Sequence, residues 1–147
     1  MSTADLGQFI ERYHRALDAF VQGNPGPVKQ LFSRRDDVTL ANPLGPPVRG
    51  WSQVEQATDH AASLVREGTL ASVESISEFE AADFAYNVEI ERARIKAGAS
   101  DRFAELSLRV TTIYRREDGE WRIVHRHADP ITAPRPIESL SETPSPE

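Results

Sequence analysis

The sequence predicts an α+β fold in which three N-terminal helices pack on a strongly curved antiparallel sheet. Apolar residues recur at steps of three and four over residues 3–22 and 54–65, the spacing of helices buried on one side. Beyond Gly68 the apolar period changes to two, the spacing of half-buried strands. The chain has 147 residues, a length that suits one domain. A curved sheet wrapped over helices encloses a conical cavity, which is the natural place for a ligand.

Three helices are expected in the first half of the chain. The first spans residues 3–22, where Ser2 and Asp5 have the spacing of a capping box. Proline and glycine at positions 24–27 end it, and a short second helix fits residues 27–32. A second capping box, Ser52 with Glu55, opens the third helix, and Gly68 is its predicted terminator.

Strands follow the helices. A short strand is expected at residues 38–41, before the turn-rich segment 42–47, and a four-strand meander occupies the second half of the domain. The Asp118-Gly119 pair is the strongest hairpin signal. Residues 130–147 hold half of the ten prolines and almost no large apolar residue, which predicts a flexible tail without a packed role. The domain is therefore expected to cover residues 1–129.

Composition excludes several classes of function. A net charge of −6 argues against nucleic acid as a partner, because a nucleic-acid binder should carry a basic face. Zero cysteines exclude disulfides and thiolate metal sites. No apolar run approaches the ~20 residues of a membrane span, and the N-terminus lacks the features of a secretory signal. We therefore expect a cytoplasmic protein without a cofactor and with neither a membrane nor a nucleic-acid partner.

Polar residues at the end of the last strand suggest a site. In an extended strand, residues two apart share a face. Trp121, Ile123, His125, His127 and Asp129 form such a set, apolar at its start and polar at its end. The expectation is that this face meets the helices and that its polar end lies at the cavity mouth. Arg109 and Thr111 share a face of the adjoining strand.

Other interpretations of these residues remain open. His125 and His127 could form a metal pair with Asp129 or His60, or lie on the outer face at a dimer contact. Arg109 could pair with Glu89 or Glu91 instead of clamping an anionic ligand. Trp51 and Trp121 could serve packing alone. The acidic residues are most simply a solvated face: Glu78, Glu80, Asp83, Glu89 and Glu91.

Residues 114–127, Tyr-Arg-Arg-Glu-Asp-Gly-Glu-Trp-Arg-Ile-Val-His-Arg-His, resemble the closing hairpin of SnoaL-like proteins. That group belongs to the nuclear-transport-factor-2-like superfamily, together with the ketosteroid isomerases, and a similar ending occurs in the association domain of calcium/calmodulin-dependent kinase II. The order of elements matches over residues 3–129. The resemblance implies a cone-shaped, cystatin-like α+β roll and a homodimer formed through the outer face of the sheet.

The isomerase pattern is only partly present. Tyr13 resembles the tyrosine that donates to the substrate oxyanion. Asn42 stands where an isomerase carries its aspartate base, and an amide cannot abstract a proton near neutral pH. Thr111 falls near the position of the protonated aspartate of the isomerase oxyanion hole, and a threonine hydroxyl can donate a hydrogen bond but is not a strong acid. Steroid isomerisation by that mechanism is therefore not expected.

The functional hypothesis is a domain that binds a small, mostly apolar molecule. If it is an enzyme, we expect an isomerase or lyase that transfers a proton on a carbonyl compound, with His127 as base and Tyr13 and Arg109 holding the oxyanion. The expected ligand-binding set is completed by Asn42, Thr111, His125, Asp129, Trp51 and His60, with no metal. The alternative is a non-catalytic oligomerisation or ligand-sensing module, and an enclosed pocket of several hundred Å³ would favour ligand binding over it.

Overall fold

A computed structural model describes residues 5–142. Its helices are α1 (Leu6–Val21), α2 (Gly26–Lys29) and α3 (Trp51–Ser63). The stripe predicted for the first helix is confirmed, because its apolar side is buried. Asp5 caps α1 by accepting a hydrogen bond from the Gly7 amide at 3.0 Å, whereas Ser2, its predicted partner in a capping box, lies outside the described residues.

The predicted ends of the third helix are wrong. Gly50 occupies the N-cap position and no side chain caps the helix, so Ser52 and Glu55 form no capping box. The helix ends at Ser63, and the chain enters a strand at Val65. Gly68 therefore lies inside a strand and terminates no helix.

The strands of the described part of the chain form one six-stranded sheet. They are β1 (Thr39–Ala41), β2 (Val48–Arg49), β3 (Val65–Glu80), β4 (Phe84–Ala97), β5 (Ala104–Glu117) and β6 (Glu120–Asp129). The order across the sheet is β2-β1-β6-β5-β4-β3; β1 and β6 run parallel, and the other neighbouring strands run antiparallel. The predicted meander is confirmed as β3 to β6. The predicted Asp118-Gly119 turn closes the β5–β6 hairpin, and both residues have positive φ, of 54° and 80°.

Close contact between α1 and β3 explains why position 68 is glycine. A Cβ atom at Gly68 would lie 2.5 Å from the Val21 carbonyl oxygen and 2.9 Å from the Val21 side chain. The strand is irregular here, with a register shift between Arg66 and Thr69 and a positive φ of 55° at Glu67. A β-bulge of this kind bends the strand, and it brings the backbone of β3 against the end of α1.

The core lies between the helices and one face of the sheet, called the inner face below. Its largest fully buried side chains include Trp121, Tyr13, Tyr114 and Phe32. The Tyr13 and Tyr114 rings meet edge to face with centroids 6.3 Å apart. These contacts hold α1 across the middle of β5 and β6, which are the strands that carry the site.

The chain beyond β6 is exposed. Residues 130–142 contain one 3₁₀ turn, Ile137–Leu140, which buries none of its residues. The domain boundary at residue 129 stays a prediction. Within the described part of the chain, no helix combines the length and the apolar character that crossing a membrane requires.

Candidate functional site

A cavity of about 400 Å³ opens between the helices and the inner face. Apolar side chains form most of its wall, with Leu17 from α1, Ala61 from α3, and Leu108 and Ala128 from the sheet. The volume lies within the range of about 300–1,000 Å³ that is common for small-molecule pockets. Asn42 also lines the cavity, and its Oδ1 accepts a hydrogen bond from the Leu44 amide at 3.0 Å.

One charged side chain reaches the cavity among the described residues, that of Arg126 on β6. Its Nη1 donates to the Tyr13 hydroxyl at 2.6 Å and to Glu91 Oε2 at 2.8 Å. Its Nη2 donates to Glu91 Oε1, also at 2.8 Å. Glu91 is only 5% exposed, so the guanidinium and the carboxylate form a buried, bidentate ion pair.

Burial and charge together set the protonation of this group. Burial disfavours the charged guanidinium, but Glu91 and Tyr13 offset that cost, and the pKa of Arg126 stands well above its ordinary value. Burial also raises the pKa of Tyr13, although the charge of Arg126 opposes the shift. Tyr13 lies 3.2 Å from Thr112 Oγ1 and is fully buried. At neutral pH the arginine of the site is therefore charged and the tyrosine is neutral.

A second buried acid lies on the same face of β4. Glu89 is 4% exposed, and its two carboxylate oxygens each lie 3.1 Å from His14 Nε2. The hydrogen bond to Glu89 raises the pKa of His14. The interpretation of the acidic residues as a solvated face is thus wrong for Glu89 and Glu91. It is right for the three exposed members, Glu78, Glu80 and Asp83.

A β-bulge at Val124 decides which side chains of β6 face the cavity. Ile113 pairs with His125 and Tyr114 pairs with Ile123, so Val124 is an extra residue between them. Trp121 and Ile123 therefore share the inner face with Arg126 and Ala128, and not with His125 and His127. The expectation that the two histidines look into the cavity is wrong, because an inserted residue reverses the side-chain alternation.

The predicted polar set lies on the opposite, outer face of the sheet. His127 is 47% exposed there, with Nε2 3.1 Å from Asp129 Oδ2. Arg109 Nε donates to Asp129 Oδ1 at 2.7 Å, so Arg109 pairs with Asp129 and with neither Glu89 nor Glu91. Thr111 pairs with His127 across the two strands. The structure brings these residues together, but away from the cavity.

His125 occupies the same outer face as His127. Its Nδ1 lies 2.7 Å from Thr39 Oγ1 on β1. Burial, reinforced by the neighbouring His127, lowers the pKa of His125. No group of three or more side chains suited to holding a metal ion occurs among residues 5–142, so the described part of the chain lacks the metal site considered for these histidines.

The two remaining predicted residues lie apart from each other. Trp51 packs near Phe32, and the Arg34 guanidinium carbon stands 3.9 Å above its ring centre, so Trp51 serves packing. His60 lines a smaller pocket of about 150 Å³. That pocket shares Leu40, Asn42 and Leu44 with the main cavity.

Neither Arg126 nor Glu91 was among the predicted cavity residues, although the sequence of β4 indicates on which face Glu91 lies. Continuing the period of two from Glu89 and Glu91 leads to Ala93 and Ile95, which are both buried. That continuation places the two acids on the inner face. The opposite set, Tyr86, Val88 and Ile90, is more apolar. It therefore favoured the wrong face of β4 as the buried one.

The chain matches the family model of the SnoaL-like domain over residues 8–133. It belongs to the SnoaL-like family. No curated protein matches the sequence.

Solved structures share the fold. An NTF2-like superfamily protein from Salmonella enterica serovar Typhimurium has a TM-score of 0.72 at 20% identity, over 90% of this chain and 92% of that chain. A ketosteroid isomerase-like protein from Erwinia carotovora atroseptica has a TM-score of 0.72 at 16% identity, over 89% and 97%. A candidate calcium/calmodulin-dependent protein kinase type II association domain from Thiobacillus denitrificans has a TM-score of 0.67 at 22% identity, over 86% and 94%. At these identities the likeness concerns the fold alone.

Proposed function

We propose that the cavity binds a small, mostly apolar molecule whose carbonyl oxygen accepts a hydrogen bond from Arg126. The observation that carries this proposal is that, within residues 5–142, one charged donor group lies in the wall of an otherwise largely apolar cavity. Apolar walls supply affinity through the hydrophobic effect, and a few polar groups orient the ligand. A cavity of about 400 Å³ with an apolar lining supports ligand binding over an empty oligomerisation module.

Arg126 keeps hydrogen-bonding capacity for a ligand. A guanidinium carries five N–H groups, and three of those on Arg126 are used by Tyr13 and Glu91. The Nε–H finds no acceptor among the described residues. The side chain is 12% exposed and lines the cavity, so we expect a ligand there to meet one of the two remaining N–H groups, on Nε or on Nη2.

The cavity wall favours binding over proton transfer. Its lining contains no histidine, aspartate or glutamate among the described residues, and Glu91 is held by Arg126. A second candidate function, an isomerase or lyase, rests on His60, which lines the adjoining pocket and would act as the base. Turnover of a carbonyl substrate that disappears in His60→Gln, with binding retained, would support it.

Filling the cavity tests the binding proposal. Methyl octanoate, an uncharged aliphatic ester, is titrated into the protein by calorimetry. Ala61→Phe places a ring in the cavity wall and should abolish binding, whereas Gln56→Phe places the same ring on the exposed side of α3 and should leave it unchanged. Equal binding by both variants, or no binding of esters by the unaltered protein, would contradict the proposal.

We also propose that the outer face of the sheet pairs two copies of the chain. Phe79, Phe84 and Tyr86 are large, exposed and close together, with the Phe79 and Tyr86 rings stacked at 5.9 Å. Val88, Ile90 and Ile113 continue this apolar surface and are partly exposed. Pairing through a two-fold axis would cover a surface that the helices, on the inner face, cannot reach.

A further inference from the structure

We propose that the cavity selects uncharged ligands over carboxylates, and that Glu91 sets this selectivity. The inference rests on the proposed ligand-binding function and adds the charge class of the ligand. It names Glu91 as a specificity-determining residue, although Glu91 does not line the cavity itself.

The charge of Arg126 is already compensated before a ligand arrives. Both terminal nitrogens of the guanidinium donate to the two oxygens of Glu91, each at 2.8 Å. Glu91 therefore cancels the positive charge at close range, and it does so where little water screens the pair.

The second buried acid adds to the negative charge near the cavity. Glu89 lies two residues from Glu91 on the same face of β4, and His14 is its partner. With His14 protonated, the four groups Arg126, His14, Glu89 and Glu91 sum to zero formal charge, and with His14 neutral they sum to −1. In neither state does the cluster offer a net positive charge to a ligand.

The two kinds of ligand differ in what they need from the cavity. A carboxylate entering an apolar cavity loses its hydration, and only an opposite, uncompensated charge offsets that loss. An ester or ketone oxygen needs one hydrogen-bond donor, which Arg126 supplies. The geometry thus favours a neutral carbonyl compound.

Glu91→Gln removes the negative charge of Glu91 and keeps nearly the same side-chain shape. The amide oxygen still accepts a hydrogen bond from Arg126, but it no longer cancels the positive charge. The variant should therefore gain affinity for carboxylates and reverse the preference. Glu78→Gln removes one negative charge from an exposed site on β3, and it serves as the matched control.

The experiment compares methyl octanoate with octanoate, which have the same acyl chain and differ in charge, by calorimetry near neutral pH. The unaltered protein and Glu78→Gln should bind the ester at least about tenfold more tightly, while Glu91→Gln should bind octanoate more tightly than the unaltered protein does. Octanoate binding the unaltered protein as tightly as the ester would overturn the inference and leave the proposed function standing.

Failure of the proposed function gives a different result, because then neither compound binds the unaltered protein. If Glu91→Gln binds octanoate no better than Glu78→Gln does, Glu91 is not the determinant and the inference is overturned. If Glu91→Gln does not fold, the ratio between the affinities of the unaltered protein for methyl octanoate and for octanoate tests the selectivity by itself.

Discussion

Arg126 and Glu91 depend on each other for stability. Removing one member of a buried ion pair leaves the other charge without compensation, at a cost of about 3–5 kcal/mol, whereas replacing both by apolar residues of similar volume is often nearly neutral. Glu91→Leu and Arg126→Met should therefore each lower the free energy of unfolding by about that amount, and the double variant should lose much less. Urea unfolding of the four proteins measures the cycle. Additive losses would show that the pair is not coupled as its geometry indicates.

His14 should make stability depend on pH. Its pKa in the folded protein is raised by Glu89 above the ordinary value of 6.5. A raised pKa means that the stabilisation is fully present below the unfolded-state pKa and is lost as pH rises through the folded-state pKa. His14→Gln should thus be destabilised more, relative to the unaltered protein, below about pH 6 than above about pH 8. Thermal unfolding across this range checks the sign, and a larger gap at high pH would contradict it.

At the scale of elements, the close packing of α1 against β3 depends on glycine, which has no side chain, at position 68. Gly68→Ala would press a Cβ atom against the Val21 carbonyl, which is backbone and cannot move aside easily. Overpacking of this kind costs about 1–3 kcal/mol. Gly45→Ala is the control, because nothing lies within 4 Å of a Cβ at that position. Equal melting temperatures for the two variants would show that the helix and the strand are not in close contact.

Local periodicity predicted most of the helices and strands, but it did not predict the β-bulge that interrupts the alternation of β6. The stripe of α1 and the alternation of β4 and β5 are repeated over many residues, so one substitution does not hide them. The bulge at Val124 is a single extra residue with an ordinary β-branched side chain, and nothing in the local pattern marks it. It reverses the facing of every later residue in β6, which is why His127 was predicted where Ala128 and Arg126 lie.

The period of two in β4 indicates that Glu89 and Glu91 face the core, but the reason why their burial is favourable could not be predicted from β4 alone. Glu91 is held by Arg126 from β6, and Glu89 by His14 from α1, 35 and 75 residues away in sequence. A glutamate on a strand is more often exposed, and its burial is favourable only when a partner such as Arg126 or His14 lies against it in the folded protein. Asn42 lies in the cavity wall, and the resemblance to the isomerases, rather than local periodicity, led to its choice as a candidate.

At the scale of the molecule, the outer face should determine the assembly. Tyr86→Lys introduces a charge into the middle of the apolar surface and should convert a dimer into single chains, because a buried unpaired ammonium is strongly disfavoured. Gln56→Lys, on the exposed side of α3, should leave the assembly unchanged. Light scattering coupled to size exclusion measures both masses. A single-chain mass for the unaltered protein would contradict pairing through this face.

The central claim is that the inner face, through Arg126, is the binding site. A crystal structure of the protein with methyl octanoate tests it most directly. We expect the acyl chain among the apolar side chains of the cavity and the carbonyl oxygen within hydrogen-bonding distance of Arg126. An ester bound instead on the outer face beside His125 and His127, or one bound in the cavity with its carbonyl turned away from Arg126, would contradict the account.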